Sequence, residues 1–306
     1  MKNRWIINIV LLLVVAGLAA FLYLRPKSEV QGLTQYEVST YKLAEFNQIQ
    51  VDFPARSQVV FSKVDHYWHL KAPLQARADQ ASVHRILSII AAKTTTKITP
   101  KNGQTFDAQE TAKYGLDQPA IRLYLIRDDK QNQEEFLFGT FNPVTDEQYV
   151  AHRQAVYLLP VSYSEAASTQ VIELVDKKPL RPNEKIAGFD FARLEQWEET
   201  RLNLDLVDGQ WKVSIEKAKP TQNELNEWLD FSWKQATARS VEQYKPDPRQ
   251  KYPSFEVKTT EGKMVHFDKM QESPELLLAR PDEGLIYHFG PDEGFTMLNP
   301  PINLTK

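Results

Sequence analysis

The chain has 306 residues, 42% hydrophobic and 25% charged, enough to bury a sizeable core and unlike a disordered composition. It contains no cysteine, which removes disulfides, thiolate nucleophiles, Cys-ligated zinc and cysteine-linked lipids. Its 37 basic and 40 acidic residues give a net charge of −3, with no electrostatic footprint for nucleic acid.

The first predicted element is the apolar run Ile6 to Leu24, broken only by Asn8. A helix of that length reaches ~28 Å, close to the ~30 Å hydrocarbon core of a bilayer. The run therefore predicts a transmembrane anchor over residues 6–24, in contact with the lipid bilayer, with residues 1–5 cytoplasmic. Gly17-Leu18-Ala19 offers the small residues of a signal-peptidase site. Phe21, Leu22, Tyr23 and Leu24 nevertheless carry the apolar run past it, where a cleaved signal would turn polar, so retention is predicted. Lys2 and Arg4 face Arg25 and Lys27 across the run, a slight bias. With the anchor placed first, the simplest topology puts everything after Arg25 outside the cytoplasm. The expected address is the inner membrane, single-pass, with a periplasmic C-terminal domain. Residues 25–44 read as linker and lead-in.

The next elements come in two copies. Phe61-Ser62-Lys63-Val64-Asp65-His66-Tyr67-Trp68 recurs as Leu204-Asp205-Leu206-Val207-Asp208-Gly209-Gln210-Trp211, so Trp68 and Trp211 are equivalent. In each, an alternating strand meets a polar turn and the Trp opens the return strand; Asp208-Gly209 is the stronger hairpin signal. A helix follows. Asp79 caps the first, with Val83, Ile86, Leu87 and Ile90 at i, i+3, i+4 and i+7. Thr221 caps the second, with Glu224 completing a capping box ahead of Leu225, Trp228 and Leu229. Short strands then correspond downstream: Phe136-Leu137-Phe138 with Val265-His266-Phe267, and Val156-Tyr157-Leu158 with Ile286-Tyr287. Residues from Asp292 read as a short tail.

These patterns predict an α+β fold: one N-terminal transmembrane helix, then two duplicated lobes. Each lobe is an antiparallel hairpin and meander sheet with one packed amphipathic helix. Lobe 1 is expected over residues 45–175, a basic, Pro-containing junction over 176–187, and lobe 2 over 188–306. The junction cations Lys177, Lys178, Arg181 and Lys185 read as a solvated linker.

No reaction motif stands out. The six histidines give no metal-ligand spacing: His66 and His69 fall on opposite strand faces, and His266 and His288 lack a third ligand. Phosphate loops, a GxSxG elbow and HExxH are absent. Glu134-Glu135 and Glu198-Glu199, adjacent on predicted strands, point apart rather than converging. Pro281-Asp282-Glu283-Gly284 and Pro291-Asp292-Glu293-Gly294 read as turns, and Trp68 and Trp211 as core. No catalytic, cofactor-binding or metal residue is predicted.

Trp68 followed by Pro73, Ala78-Asp79-Gln80 at a helix start, and Tyr114-Gly115-Leu116-Asp117-Gln118-Pro119 resemble the signature of domain of unknown function family 4340. Phe138-Gly139 through Asn142-Pro143, with Tyr149-Val150 and Val156-Tyr157, extends the resemblance. It covers roughly residues 50–185 well and the second copy weakly, where Lys251-Tyr252-Pro253 stands in place of the Tyr-Gly-Leu element. The resemblance implies a membrane-anchored envelope protein whose relatives are often encoded beside ABC-type export systems of the gliding-motility kind. It implies no activity. The expectation is a non-enzymatic extracytoplasmic scaffold or accessory subunit with ABC-type transporter subunits as partners. The alternative is a ligand-binding module for glycan, lipid or peptide with a cleft between lobes, and an extracytoplasmic hydrolase ranks behind both.

Overall fold

The computed structural model describes residues 14–15, 34–101, 105–127, 132–247 and 249–302. Two large antiparallel sheets dominate, with a small third one pairing β1 (Tyr36–Glu37) with β6 (Lys93–Thr94). The first large sheet holds β2 (Gln48–Phe53), β3 (Arg56–Val64), β4 (Tyr67–Ala72), β5 (Ala76–Arg77), β7 (Lys97–Ile98), β8 (Ile121–Ile126), β9 (Gln133–Asn142), β10 (Glu147–His152) and β11 (Ala155–Pro160). Its order is β5-β4-β3-β2-β8-β9-β10-β11-β7. The second holds β12 (Ile186–Asp190), β13 (Asn203–Val207), β14 (Gln210–Val213), β15 (Ser240–Gln243), β16 (Ser254–Thr259), β17 (Met264–Gln271), β18 (Leu276–Arg280) and β19 (Leu285–Phe289). Its order is β14-β13-β12-β16-β17-β18-β19-β15. Apart from β5, the two orders superimpose strand for strand, with β4 matching β14 and β11 matching β19.

Local chemistry accounts for the matching hairpins. Asp65 and His66 join β3 to β4 with φ of 48° and 69°, and Asp208 and Gly209 join β13 to β14 with φ of 52° and 76°. Positive φ at both central residues twists the turn to suit the flanking strands, which Asp, His and Gly tolerate better than β-branched residues. Inward Trp68 and Trp211 are 2% and 4% exposed. Gln80 accepts from the Trp68 N–H at 2.9 Å and donates to its carbonyl at 3.0 Å. Gln222 does the same for Trp211, at 2.6 and 3.0 Å. Each glutamine thereby pairs the outward backbone groups of its tryptophan.

Helix α1 (Gln80–Leu87) begins where the Asp79 carboxylate accepts from the Ser82 N–H at 2.7 Å, and it buries Val83, Ile86 and Leu87. A short α2 (Ala108–Lys113) follows, and α3 (Ser162–Ser168) comes after β11. Helix α4 (Gln222–Leu229) carries the Thr221–Glu224 capping box, buries Leu225, Trp228 and Leu229, and runs into a π turn over Asp230–Lys234. Helix α5 (Pro291–Leu298) follows β19. Its last carbonyls, which no helical N–H can reach, accept from indoles: Trp228 to Thr296, Trp233 to Met297 and Trp197 to Leu298, at 2.6, 3.1 and 3.0 Å. One hydrophobic core runs through both lobes, from Ile49 and Phe61 to Phe267 and Leu298. Smaller clusters lie on the opposite sheet faces, around Tyr114, Leu116 and Val156 and around Tyr244, Ala279 and Ile286.

The expected architecture is corrected on several counts. The described chain is dominated by strands in three antiparallel sheets, rather than being an α+β body with one helix per lobe. Among the described residues no helix is long and apolar enough to cross a membrane. The expected span over residues 6–24 lies outside the described residues, apart from Val14 and Val15. Residues from Asp292 form most of α5 rather than a tail. Pro291 sits at the first helical position, where its missing N–H costs nothing, so a helix start there looks the same in sequence as a turn. Glu198 and Glu199 lie in a turn after a short 3-10 segment, not on a strand.

The lobes meet along a seam that continues the backbone hydrogen bonding of both sheets. Beside β5, Leu174 accepts from the Asp79 N–H at 2.8 Å and the Asp176 N–H donates to Arg77 at 2.9 Å. One residue on, Lys177 accepts from the Ala238 N–H at 2.9 Å, at the approach to β15. The junction thus covers the β5 edge on one side and reaches the second sheet on the other.

Candidate functional site

Polar chemistry gathers at the seam. Arg280 ends β18 on the same face as Leu276 and Leu278, and all three are 0% exposed. A buried guanidinium needs its charge and donors met. Arg280 donates to both Glu184 oxygens at 2.6 and 2.8 Å, to Asp282 at 2.9 Å and to the Pro179 carbonyl at 2.7 Å. From the first lobe, Arg77 donates to Asp176, to Glu283 at 3.1 Å and to the Tyr287 hydroxyl at 3.2 Å. Arg181 in the junction donates to Glu283 at 2.8 Å and Asp282 at 3.0 Å. Tyr287 donates its hydroxyl proton to Glu283 at 2.8 Å.

Glu283 is the centre of this network, in the tight β18–β19 turn that Gly284 closes with a φ of 65°. Burial alone would raise its carboxyl pKa. Arg77, Arg280 and the hydrogen bonds from Arg181 and Tyr287 outweigh burial and hold it at about 2. Burial, and then the Glu283 charge, push the Tyr287 phenol above its ordinary value. At neutral pH Glu283 is therefore ionised while Tyr287 keeps the proton it donates to it.

Two cavities flank the junction. One, of about 280 Å³, lies between the β3–β4 hairpin and Arg181, Pro182 and Asn183, with Tyr67 and His69 on its wall. The other, of about 590 Å³, runs past Pro179, Ile186 and Trp233. Burial, then Lys71, Arg77 and Arg181, lower the His69 pKa, so its ring is neutral at neutral pH.

The histidines singled out in the sequence are dispersed. His66 sits in the hairpin turn, His84 is exposed on α1 and His69 borders the smaller cavity. His152 is buried, stacked on Phe136 with ring centres 4.2 Å apart and its Nε2 3.3 Å from Glu134. His266 pairs with Asp268 at 3.0 Å. His288 stands opposite Leu277, whose other neighbour is Gln271, so it lies toward the far end of β17 from His266. Glu134 turns inward to Arg153 while Glu135 turns outward to Arg122. Among the described residues no group of three His, Asp or Glu side chains is placed to hold a metal ion.

Of the four junction cations, Lys178 and Lys185 are exposed, as a solvated linker would have them, and the other two are held by protein partners. Arg181 belongs to the buried network, and Lys177 pairs with Glu173 at 2.6 Å while donating to the Arg239 carbonyl. Of the two Pro-Asp-Glu-Gly segments, 281–284 is a turn that carries the network's central acid, and 291–294 opens α5. The sequence contained one signal for this cluster: Leu276, Leu278 and Arg280 share a strand parity, which puts a charge on an apolar face.

The signature segments also meet in space. The Tyr114 carbonyl accepts from the Thr140 N–H at 2.8 Å. A Cβ on Gly139 would stand 2.1 Å from that carbonyl, and one on Gly115, at φ 66°, would stand 2.4 Å from Thr140. The Tyr-Gly-Leu and Phe-Gly elements therefore hold a close backbone approach, with Tyr114 and Tyr149 rings 4.9 Å apart beside it.

No curated protein and no solved structure matches the chain. The family model described as Domain of unknown function (DUF4340) matches residues 68–263, from Trp68 on the first hairpin across the seam to the turn before β17, and the chain belongs to that family.

Proposed function

We propose that this protein is a non-enzymatic scaffold, working on the extracytoplasmic side of the inner membrane as an accessory subunit of an envelope ABC-type transport system. The observation that carries this reading is the seam. Two sheets share one core and are tied by three arginines and four carboxylates, with Arg280 fully buried. Such a joint suppresses the hinge motion by which two-lobed receptors close on ligands. It suits a part that holds partners at fixed spacing. Family membership supports the reading by analogy, through the envelope setting and the neighbouring exporter genes that the resemblance implies.

The test is affinity purification of the full chain from detergent-solubilised membranes of its own host. Stable, stoichiometric recovery of permease and ATPase subunits is the expected outcome. Repeated recovery of the chain alone would overturn the proposal. Loss of those subunits on disrupting the seam with Glu283→Ala, with expression maintained, would tie the interaction to the rigid joint.

A further inference from the structure

The smaller seam cavity has a composition that the scaffold reading does not use. On the outer face of the first sheet, Val64 and Tyr67 face each other across the hairpin ladder and are 44% and 47% exposed. They stand beside the cavity of about 280 Å³ whose far side is Arg181, Pro182 and Asn183. An apolar wall and a polar wall thus oppose each other across a space at the small end of ligand sites, which run from roughly 300 Å³ upward.

The polar groups lining the cavity divide into two sets. Arg77, Asp176 and Gln80 are held by protein partners. The His69 ring, the Asn183 side-chain amide, the Tyr67 hydroxyl and the Asp65 carboxylate at the hairpin turn make no hydrogen bond among the described residues. Arg181 directs Nε and Nη2 to the 281–284 turn, leaving Nη1 without a partner there. The uncommitted charged donor is therefore a single guanidinium N–H group beside a neutral amide. The charged groups lining the cavity balance, Arg77 and Arg181 against Asp65 and Asp176, so Arg181 Nη1 rather than a net positive field marks the place for an anion. A planar monoanion fits this set better than a phosphate dianion, which would require more donors.

We infer that the cavity binds a compact ligand with an apolar or aromatic body and one carboxylate. The body lies against Val64, Tyr67 and Pro182, and the carboxylate rests on Arg181 Nη1 and Asn183. The free ligand is either a small organic acid or the C-terminal end of a peptide. The site is independent of the transport-accessory reading, and either can fail without the other.

The experiment is calorimetric titration of the full chain at neutral pH with 3-phenylpropionate and with its uncharged amide. Saturable one-site binding of the acid is expected, with the amide weaker by about tenfold, the scale of one charge-assisted hydrogen bond. Arg181→Gln should abolish the preference for the acid. Tyr67→Ala, at a residue 47% exposed, should weaken both probes. A second arm compares the tripeptide Gly-Gly-Phe with its C-terminal amide. Preference for the free tripeptide over 3-phenylpropionate supports the site and assigns a peptide end, and binding of the small acid alone supports it and assigns a free acid. Equal binding of acid and amide, affinity unchanged by Tyr67→Ala, or no saturable binding of any probe at millimolar concentration would overturn the inference.

Discussion

The two lobes use the same strand order and the same tryptophan–glutamine clamp, yet their hairpin edges end differently. In the first lobe the chain continues from β4 into β5, and residues 174–177 cover that strand in turn. In the second, β14 stops after four residues, and Gln222 holds its tryptophan at the open edge. A short edge bearing Lys212 is poorly suited to pair with another chain. On the outer faces, Tyr67 and His69 of the first lobe correspond to Gln210 and Lys212 of the second. Inward positions match between the copies because both sheets must bury a helix in the same way. The differences collect at the seam, where the first lobe supplies Arg77 and the second supplies Glu283 and Tyr287. The shared strand order accounts for the body, and the asymmetry accounts for the joint.

The largest expected effect comes from breaking that joint. Glu283→Ala would leave Arg77 and Arg280 buried with less counter-charge, and removing one partner of a buried pair costs about 3–5 kcal/mol. Urea denaturation should show that loss. The comparison variant is Asp205→Ala, which removes the Lys258 partner at 2.7 Å on a half-exposed surface of the second lobe. An exposed pair of that kind contributes about 1 kcal/mol or less. Equal losses in the two variants would show that the seam is no different from surface.

Acid provides a second, slightly smaller perturbation of the same carboxylate. The folded pKa of Glu283, about 2, lies below its ordinary 4.5. A depressed pKa stabilises the fold above the unfolded value and loses that contribution as pH falls toward the folded one. The shift corresponds to roughly 3 kcal/mol, lost between about pH 4.5 and pH 2. Glu283→Gln should flatten that part of the stability–pH curve. An unchanged slope would mean that other carboxylates govern acid unfolding.

Much of the local structure was legible and little of the joint was. Asp79 and the spacing of Val83, Ile86 and Leu87 marked α1, and Asp208-Gly209 marked the second hairpin, because caps and turns are set by a few adjacent residues. Helix α5 was hidden by Pro291 and Gly294, which read as turn residues until Leu276 is seen packed against the glycine. The Tyr-Gly-Leu element was visible as a motif, but its partner Gly139 is far off in sequence and the reason for both glycines is a contact. Arg280 was detectable only by strand parity. Glu283, in a Pro-Asp-Glu-Gly stretch, carried no local sign that it would be buried among three arginines. Ion networks are built by long-range topology, which periodicity does not encode.

The clamps sharpen the comparison on a smaller scale. Gln80→Ala should cost about 2 kcal/mol, since it strands the buried Trp68 N–H beside a covered edge. Gln222→Ala should cost less, about 1 kcal/mol, because Gln222 is exposed and water can replace it at the open edge of β14. Paired urea melts would read the difference. Equal costs would imply that the covering of β5 does not exclude solvent from the first clamp.

The smallest effect is expected at the rim of the network. Arg181 is 41% exposed, although it contacts the same Glu283 and Asp282 as its buried neighbours. Water already screens its charge, so Arg181→Gln should cost about 1 kcal/mol or less, where truncating a buried partner costs several times more. A urea melt checks this directly. A loss comparable to that of Glu283→Ala would extend the structural joint out to the solvent boundary. A near-neutral result would place the joint in Arg77, Arg280 and Glu283 and leave Arg181 the arginine of the network most free to face a ligand.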